Sequence, residues 1–138
     1  MNNQEANTMS NQETLAFLNT FSQAWNDHDI DALMNCMTTD CEFHAIAGAD
    51  LLGASFYGFD DVKTAFQLAW KNFPDAQWLD GDHFISGDRA VTESTFCGTK
   101  ADGTRVEARM VDIFTLRDGK IQVKNAFRKD RPSLTVSA

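Results

Sequence analysis

The hydrophobic pattern of this chain changes period once, at Pro74. Before it, apolar residues recur every three or four positions; after it, they recur at every second position. Ser10 followed by Glu13 has the form of a capping box and predicts a helix carrying Leu15, Leu18, Phe21 and Trp25, ending near Asn26. A second short helix is expected from about Asp29, with Ile30, Leu33, Met34 and Met37 on one face. A short strand over 41–46 and a Gly-rich loop over 48–58 follow, the loop apolar enough to fold over something. Asp60 is expected to cap a third helix, whose Val62, Ala65, Phe66, Ala69, Trp70 and Phe73 form a wide apolar stripe that Pro74 terminates.

Strands are expected at 75–85, 89–97, 104–116 and 120–127. The turns between them are Ser86-Gly87-Asp88, Ala101-Asp102-Gly103 and Arg117-Asp118-Gly119. Three Gly-bearing turns between alternating runs predict an antiparallel meander. Helices first and a meander afterwards make an α+β order. Such a sheet can curve into a cone, with three N-terminal helices packed on it and a cavity between the layers. Residues 1–9 read as a disordered tail, 10–131 as a single domain and 132–138 as a C-terminal tail.

Composition narrows the classes. At 138 residues, 43% hydrophobic and 11% aromatic, the chain is an ordinary globular domain. The net charge of −8 argues against nucleic acid as a partner. Residues 1–60 carry nine acids and no Lys or Arg, whereas Arg117 to Arg131 holds six bases and two acids. That basic last strand either attracts a small anion or balances the acidic helical layer. Cys36, Cys41 and Cys97 form no close pair and suggest neither a disulfide framework nor zinc. With no leader-like segment and no run of membrane-spanning length, a cytoplasmic setting is the expectation.

The residue most in need of explanation is Asp112, set among Met110, Val111, Ile113 and Phe114. A carboxylate there is costly unless it is neutral, paired or wet, so it marks a cavity. Placing Lys120 opposite Leu116 sets Asp112 opposite Lys124; a slip of one residue would substitute Asn125. Met110, Phe114, Lys124, Ala126 and Arg128 then share the face of Asp112, and Val111, Ile113, Val123 and Phe127 take the other. Lys124 and Arg128 pointing inward would favour an anionic or enolate-like ligand. Phe21, Trp25, Phe66, Trp70 and Trp78 read either as core or as the walls of a ligand box.

His44 is expected beside the Gly-rich loop, at the cavity mouth, where it could shuttle a proton with Asp112 or be an ordinary strand histidine. His83 reads as a surface residue and His28 as a cap in the turn between helices. Glu93 is the other candidate buried carboxylate, lining either the cone or a dimer interface. The three histidines show no metal-ligand spacing, so no metal site is expected.

Three motifs carry a family resemblance: Trp25-Asn26-Asp27-His28-Asp29; Gly98-Thr99 with Gly103; and Asp112-Ile113-Phe114 with Asp118-Gly119-Lys120-Ile121. With the element order, they resemble the SnoaL-like branch of the nuclear transport factor 2 fold, to which the steroid isomerases are related. The resemblance covers about residues 10–131 and implies the cone. It also implies a functional carboxyl group at Asp112, acting as general acid/base or as an oxyanion donor of the ketosteroid isomerase kind, a worked example of a carboxylic acid held neutral. The isomerase's proton-shuttling carboxylate aligns with Ala45 and its oxyanion tyrosine with Phe21. The histidine of the cyclase Gly-Thr-His motif aligns with Lys100. Those replacements argue against steroid isomerisation, and Arg109 falls on the wrong face for an epoxide hydrolase. The resemblance implies a cofactor-independent isomerase, cyclase or dehydratase acting on a small hydrophobic carbonyl compound. In this reading Asp112 and His44 are catalytic. Lys124, Arg128, Phe21, Trp25, Phe66, Trp70, Trp78, Met110 and Phe114 contact the ligand, and the sheet face forms a homodimer. The alternative is a binding or interaction module with the same fold.

Overall fold

The computed structural model describes residues 9–135. The tail expected over 1–9 lies outside them except for Met9. Helix α1 (Asn11–Asn26) starts at Ser10, where the capping box forms in both directions. Helix α2 (Ile30–Asn35) is capped by Asp29, whose side chain accepts the Ala32 N–H. Strand β1 (Met37–His44) follows, longer at its start than expected. Strand β2 (Ser55–Tyr57) then forms inside the segment expected to be only loop. Only its strand part reaches the core, through Phe56 stacked on Phe43, whereas Leu51 at its tip is fully exposed.

Helix α3 (Phe59–Asn72) begins at Gly58, not at Asp60. Gly58 has a φ of 90° and no side chain, so Asp60 and Asp61 occupy the first turn instead. Two acids there complement the helix dipole without capping it. The remaining strands are β3 (Gln77–Ser86), β4 (Arg89–Thr99), β5 (Thr104–Arg117), β6 (Lys120–Arg128) and β7 (Leu134–Thr135).

The sheet is larger than the four-stranded meander expected. Among the described residues it has seven strands, with β2-β1-β6-β5-β4-β3 in order and β7 beside β5. The meander from β3 to β6 is antiparallel, but β1 joins β6 in parallel. The expected C-terminal tail therefore contributes a strand, Leu134–Thr135, against Thr104 and Arg105. The curved, unclosed sheet and the three helices enclose a main apolar cluster built on Leu18, Phe21, Leu33, Phe66, Phe114 and Ile121, with a smaller one around Ala76, Phe96, Met110 and Ala126.

The resemblance motifs have structural work at these clusters. Asn26 clamps the start of β3, accepting the Trp78 N–H at 2.7 Å and donating to the Trp78 carbonyl at 3.0 Å. His28 reaches the Ala76 carbonyl at 2.8 Å and stacks on Trp70. Gly98 leaves room for Phe73; a Cβ there would meet the Phe73 ring at 2.7 Å.

Candidate functional site

Asp112 faces inward and meets Lys124, but by a different register from the one expected. The β5–β6 turn holds two residues, Asp118 and Gly119, both at positive φ (54° and 75°), which gives the primed turn favoured by hairpins. Arg117, not Leu116, therefore pairs with Lys120. A register shift between Thr115 and Leu116 then sets Asp112 opposite Ala126 and Lys124 opposite Phe114. The shorter turn and the bulge displace the pairing by one residue each. Their sum is even, so the inward face survives intact.

Lys124 lies diagonal to Asp112, with Nζ 2.9 Å from Oδ1. Both residues are buried, at 5% and 8% exposure. The contact is one of charges; Oδ1 receives no aligned hydrogen bond. The ammonium also lies 4.8 Å above the Phe43 ring, 5.3 Å above Trp25 and 5.8 Å above Phe66. Three π faces stabilise this buried cation.

This pair forms part of the wall of a cavity of about 450 Å³ between α1 and the sheet. Phe21, Trp25, Trp78 and Phe114 supply apolar wall. Phe66 and Trp70 line neither this cavity nor the one beyond it. Phe66 is fully buried core, and Trp70 spends its indole N–H on the Trp25 carbonyl. Met110 and Arg128 line a second chamber on the other side of Lys124.

His44 does not join Asp112. Phe43 packs inward on Phe66, so the alternation of β1 turns His44 to the opposite face of the sheet. There it is buried against Ser55 Oγ at 2.7 Å, with Glu42 at 3.8 Å. Glu93 points the same outward way, half-exposed and 3.9 Å from Arg109.

His83 takes the position expected of His44, a placement the sequence reading missed. It lies in one cross-strand row with Thr92 and Asp112, through the pairs His83–Thr92 and Thr92–Asp112. Its Nδ1 meets Thr92 Oγ1 at 2.8 Å and its Nε2 meets Asn19 Oδ1 at 2.8 Å. In the Nε2–H tautomer the ring donates to Asn19 and accepts from Thr92. The row was readable from the tight turns on either side of β4, which fix both pairings. The bulge between Leu79 and Asp82, with Asp80 at a φ of 56°, bends β3 around the cavity mouth.

Burial holds the His83 pKa below the usual 6.5, against a weaker opposing pull from Asp82. The unfolded chain therefore binds a proton more readily than the folded one. The stability this contributes is present above pH 6.5 and is lost as pH falls through the folded value. Thermal melts between pH 7 and pH 5 should show Tm falling, and His83→Gln should flatten that fall. An unchanged slope in the variant would contradict it.

The profile of the SnoaL-like domain matches residues 18–123. The chain belongs to the SnoaL-like domain family. No curated protein matches it. Solved structures share the fold at low identity. A putative polyketide cyclase from Xanthomonas campestris is 18% identical, with a TM-score of 0.76 over 86% of this chain and 91% of that one. A hypothetical protein with a ketosteroid isomerase-like fold from Catenulispora acidiphila, in complex with trimethylamine, is 15% identical (TM-score 0.71, covering 80% and 83%). TerC, co-crystallised with polyporic acid, is 20% identical (TM-score 0.71, covering 85% and 92%).

The SnoaL-like cone explains why the cavity lies where it does: helices cover only part of a sheet that curves but does not close. Among the described residues no group of His, Cys, Asp or Glu is arranged to hold a metal ion. No helix among them is long and apolar enough to cross a membrane.

Proposed function

We propose that this SnoaL-like protein is an acid/base enzyme that needs no cofactor and acts on a small hydrophobic carbonyl compound. Asp112 is the proton-transferring group. The observation that carries this reading is the buried Asp112–Lys124 pair on the wall of a cavity large enough for a substrate. The carboxylate removes a proton from the carbon next to the carbonyl, and the C–H electron pair moves to give an enolate. The negative charge that leaves Asp112 reappears on the enolate oxygen, within reach of the same ammonium. The net charge of the site never changes, so the transition state incurs little new desolvation. From a conjugated dienolate, returning the proton to the γ-carbon completes an isomerisation; alternatively the enolate carbon attacks a second carbonyl to close a ring, and the new alkoxide takes the proton back from Asp112.

The Ala45 and Phe21 replacements favour such a single-carboxylate mechanism over the isomerase arrangement. In this reading His83, whose pKa burial holds below the usual 6.5, passes a proton on along the cross-strand row His83, Thr92 and Asp112. The test is deuterium exchange at the α-carbon of candidate cyclic and aryl ketones in D2O, followed by NMR. Wild type should exchange at least one of them and Asp112→Asn should not. Equal exchange by both proteins would end the assignment.

A binding role without turnover rests on a separate observation: the 2.9 Å contact already neutralises both charges. Ligand retention without any exchange would favour it. We further propose a homodimer through the outer sheet face, where Phe84 and Phe127 are 52% and 48% exposed and share that face with Val91, Val111 and Ile113. Sedimentation at micromolar concentration should show a dimer, and a monomer would refute it.

A further inference from the structure

Beyond Lys124 lies a second chamber of about 260 Å³, between α3 and the sheet. Phe43, Ile46, Phe56, Phe73, Phe96 and Met110 give it an apolar wall. Apart from Asn72, its charged or polar side chains are two cations, Lys124 and Arg128. No acid lines it.

Those cations are not equivalent. Lys124 has Asp112 as its counter-ion. Arg128 has none: among the described residues no carboxylate lies within 4.0 Å of its guanidinium, and no side-chain hydrogen bond holds it. It is half-buried, with its guanidinium 5.1 Å above the Phe96 ring. Burial disfavours its charge, and the exposed Asp130 offsets that only at a distance. A guanidinium kept on an apolar wall with no partner lacks the anion that would make burial favourable.

We propose that this chamber binds an apolar monocarboxylate, with the carboxylate on Arg128 and the hydrocarbon along Phe96, Phe73 and Phe43. The planar guanidinium fork matches a carboxylate with two parallel hydrogen bonds. A phosphate would bring more negative charge into an apolar space than one free cation balances. At about 30 Å³ per displaced water, the volume corresponds to roughly nine waters, or a ligand of about ten non-hydrogen atoms. Octanoate is of that size. The proposal is independent of acid/base chemistry at Asp112, since it concerns a different chamber and is read out by binding.

Trp25 and Trp78 border both cavities, so their fluorescence reports binding and NOEs report which cavity is filled. Wild type should bind octanoate at least about tenfold more tightly than 1-octanol, the uncharged control of equal chain length. Arg128→Met should weaken octanoate by about ten- to a hundredfold, the loss expected for a charge-assisted pair, and leave 1-octanol unchanged. Circular dichroism establishes that the variant is folded. In the NMR spectrum of the complex, the octanoate chain should show NOEs to the Phe73 and Phe96 rings. The proposal is overturned by absence of octanoate binding at millimolar concentration, by equal octanoate affinity in wild type and Arg128→Met, or by NOEs to Phe114 and His83 instead.

Discussion

Lys124→Met is expected to destabilise the protein by about 3–5 kcal/mol, the cost of leaving a buried carboxylate without its counter-ion. Asp112 is 8% exposed and Lys124 is its only close cation among the described residues. The methionine restores most of the lost volume, so the penalty comes from charge, not from a cavity. A further result separates these causes in urea melts. The double variant Lys124→Met with Asp112→Leu should lose much less than the single one, since a buried pair replaced as a unit by apolar groups is often nearly neutral. A single variant as stable as wild type would mean that solvent reaches Asp112 freely, and the buried pair would lose its place at the centre of the site.

How far the pair could be read from the sequence depends on which property is asked for. The face of Asp112 followed from alternation alone, which is why Met110, Phe114, Lys124 and Arg128 were placed correctly despite a wrong register. The register itself depended on the Asp118-Gly119 turn and on a bulge between Thr115 and Leu116, and only the first has a local signature. The aromatic wall was legible as composition, but its division was not. Phe66 and Trp70 belong to the core because α3 turns them toward Trp25, a matter of helix placement. His44 was misplaced for a similar reason. Its strand begins earlier than the apolar run suggests and enters the sheet in parallel beside β6, with a register irregularity between Met37 and Glu42. Parallel pairing across more than seventy intervening residues leaves no trace in local pattern. His83 was hidden by its acidic neighbours, Asp80 and Asp82. Those acids are exposed, while the bulge swings the histidine between them and Thr92 toward the cavity.

Asp112→Asn is expected to lower turnover by about 10²–10⁴, the usual contribution of a positioned acid/base group, while the fold persists. The two parts of that expectation pull against each other, because this variant also breaks the buried pair. It leaves an ammonium rather than a carboxylate, and the surroundings treat the two charges differently. Nζ sits over the rings of Phe43, Trp25 and Phe66, whose π faces attract a cation and would repel an anion. The asparagine carbonyl also remains available as an acceptor for Nζ. Asp112→Asn should therefore cost less stability than Lys124→Met, although each removes one charge of the same pair. Measuring both melts beside the deuterium-exchange rate makes the argument specific. A folded Asp112→Asn protein that has lost exchange assigns the proton transfer to the carboxylate. If Asp112→Asn unfolds more readily than Lys124→Met, the aromatic cage is not what keeps the cation in place, and Asp112 is chiefly the counter-ion of Lys124.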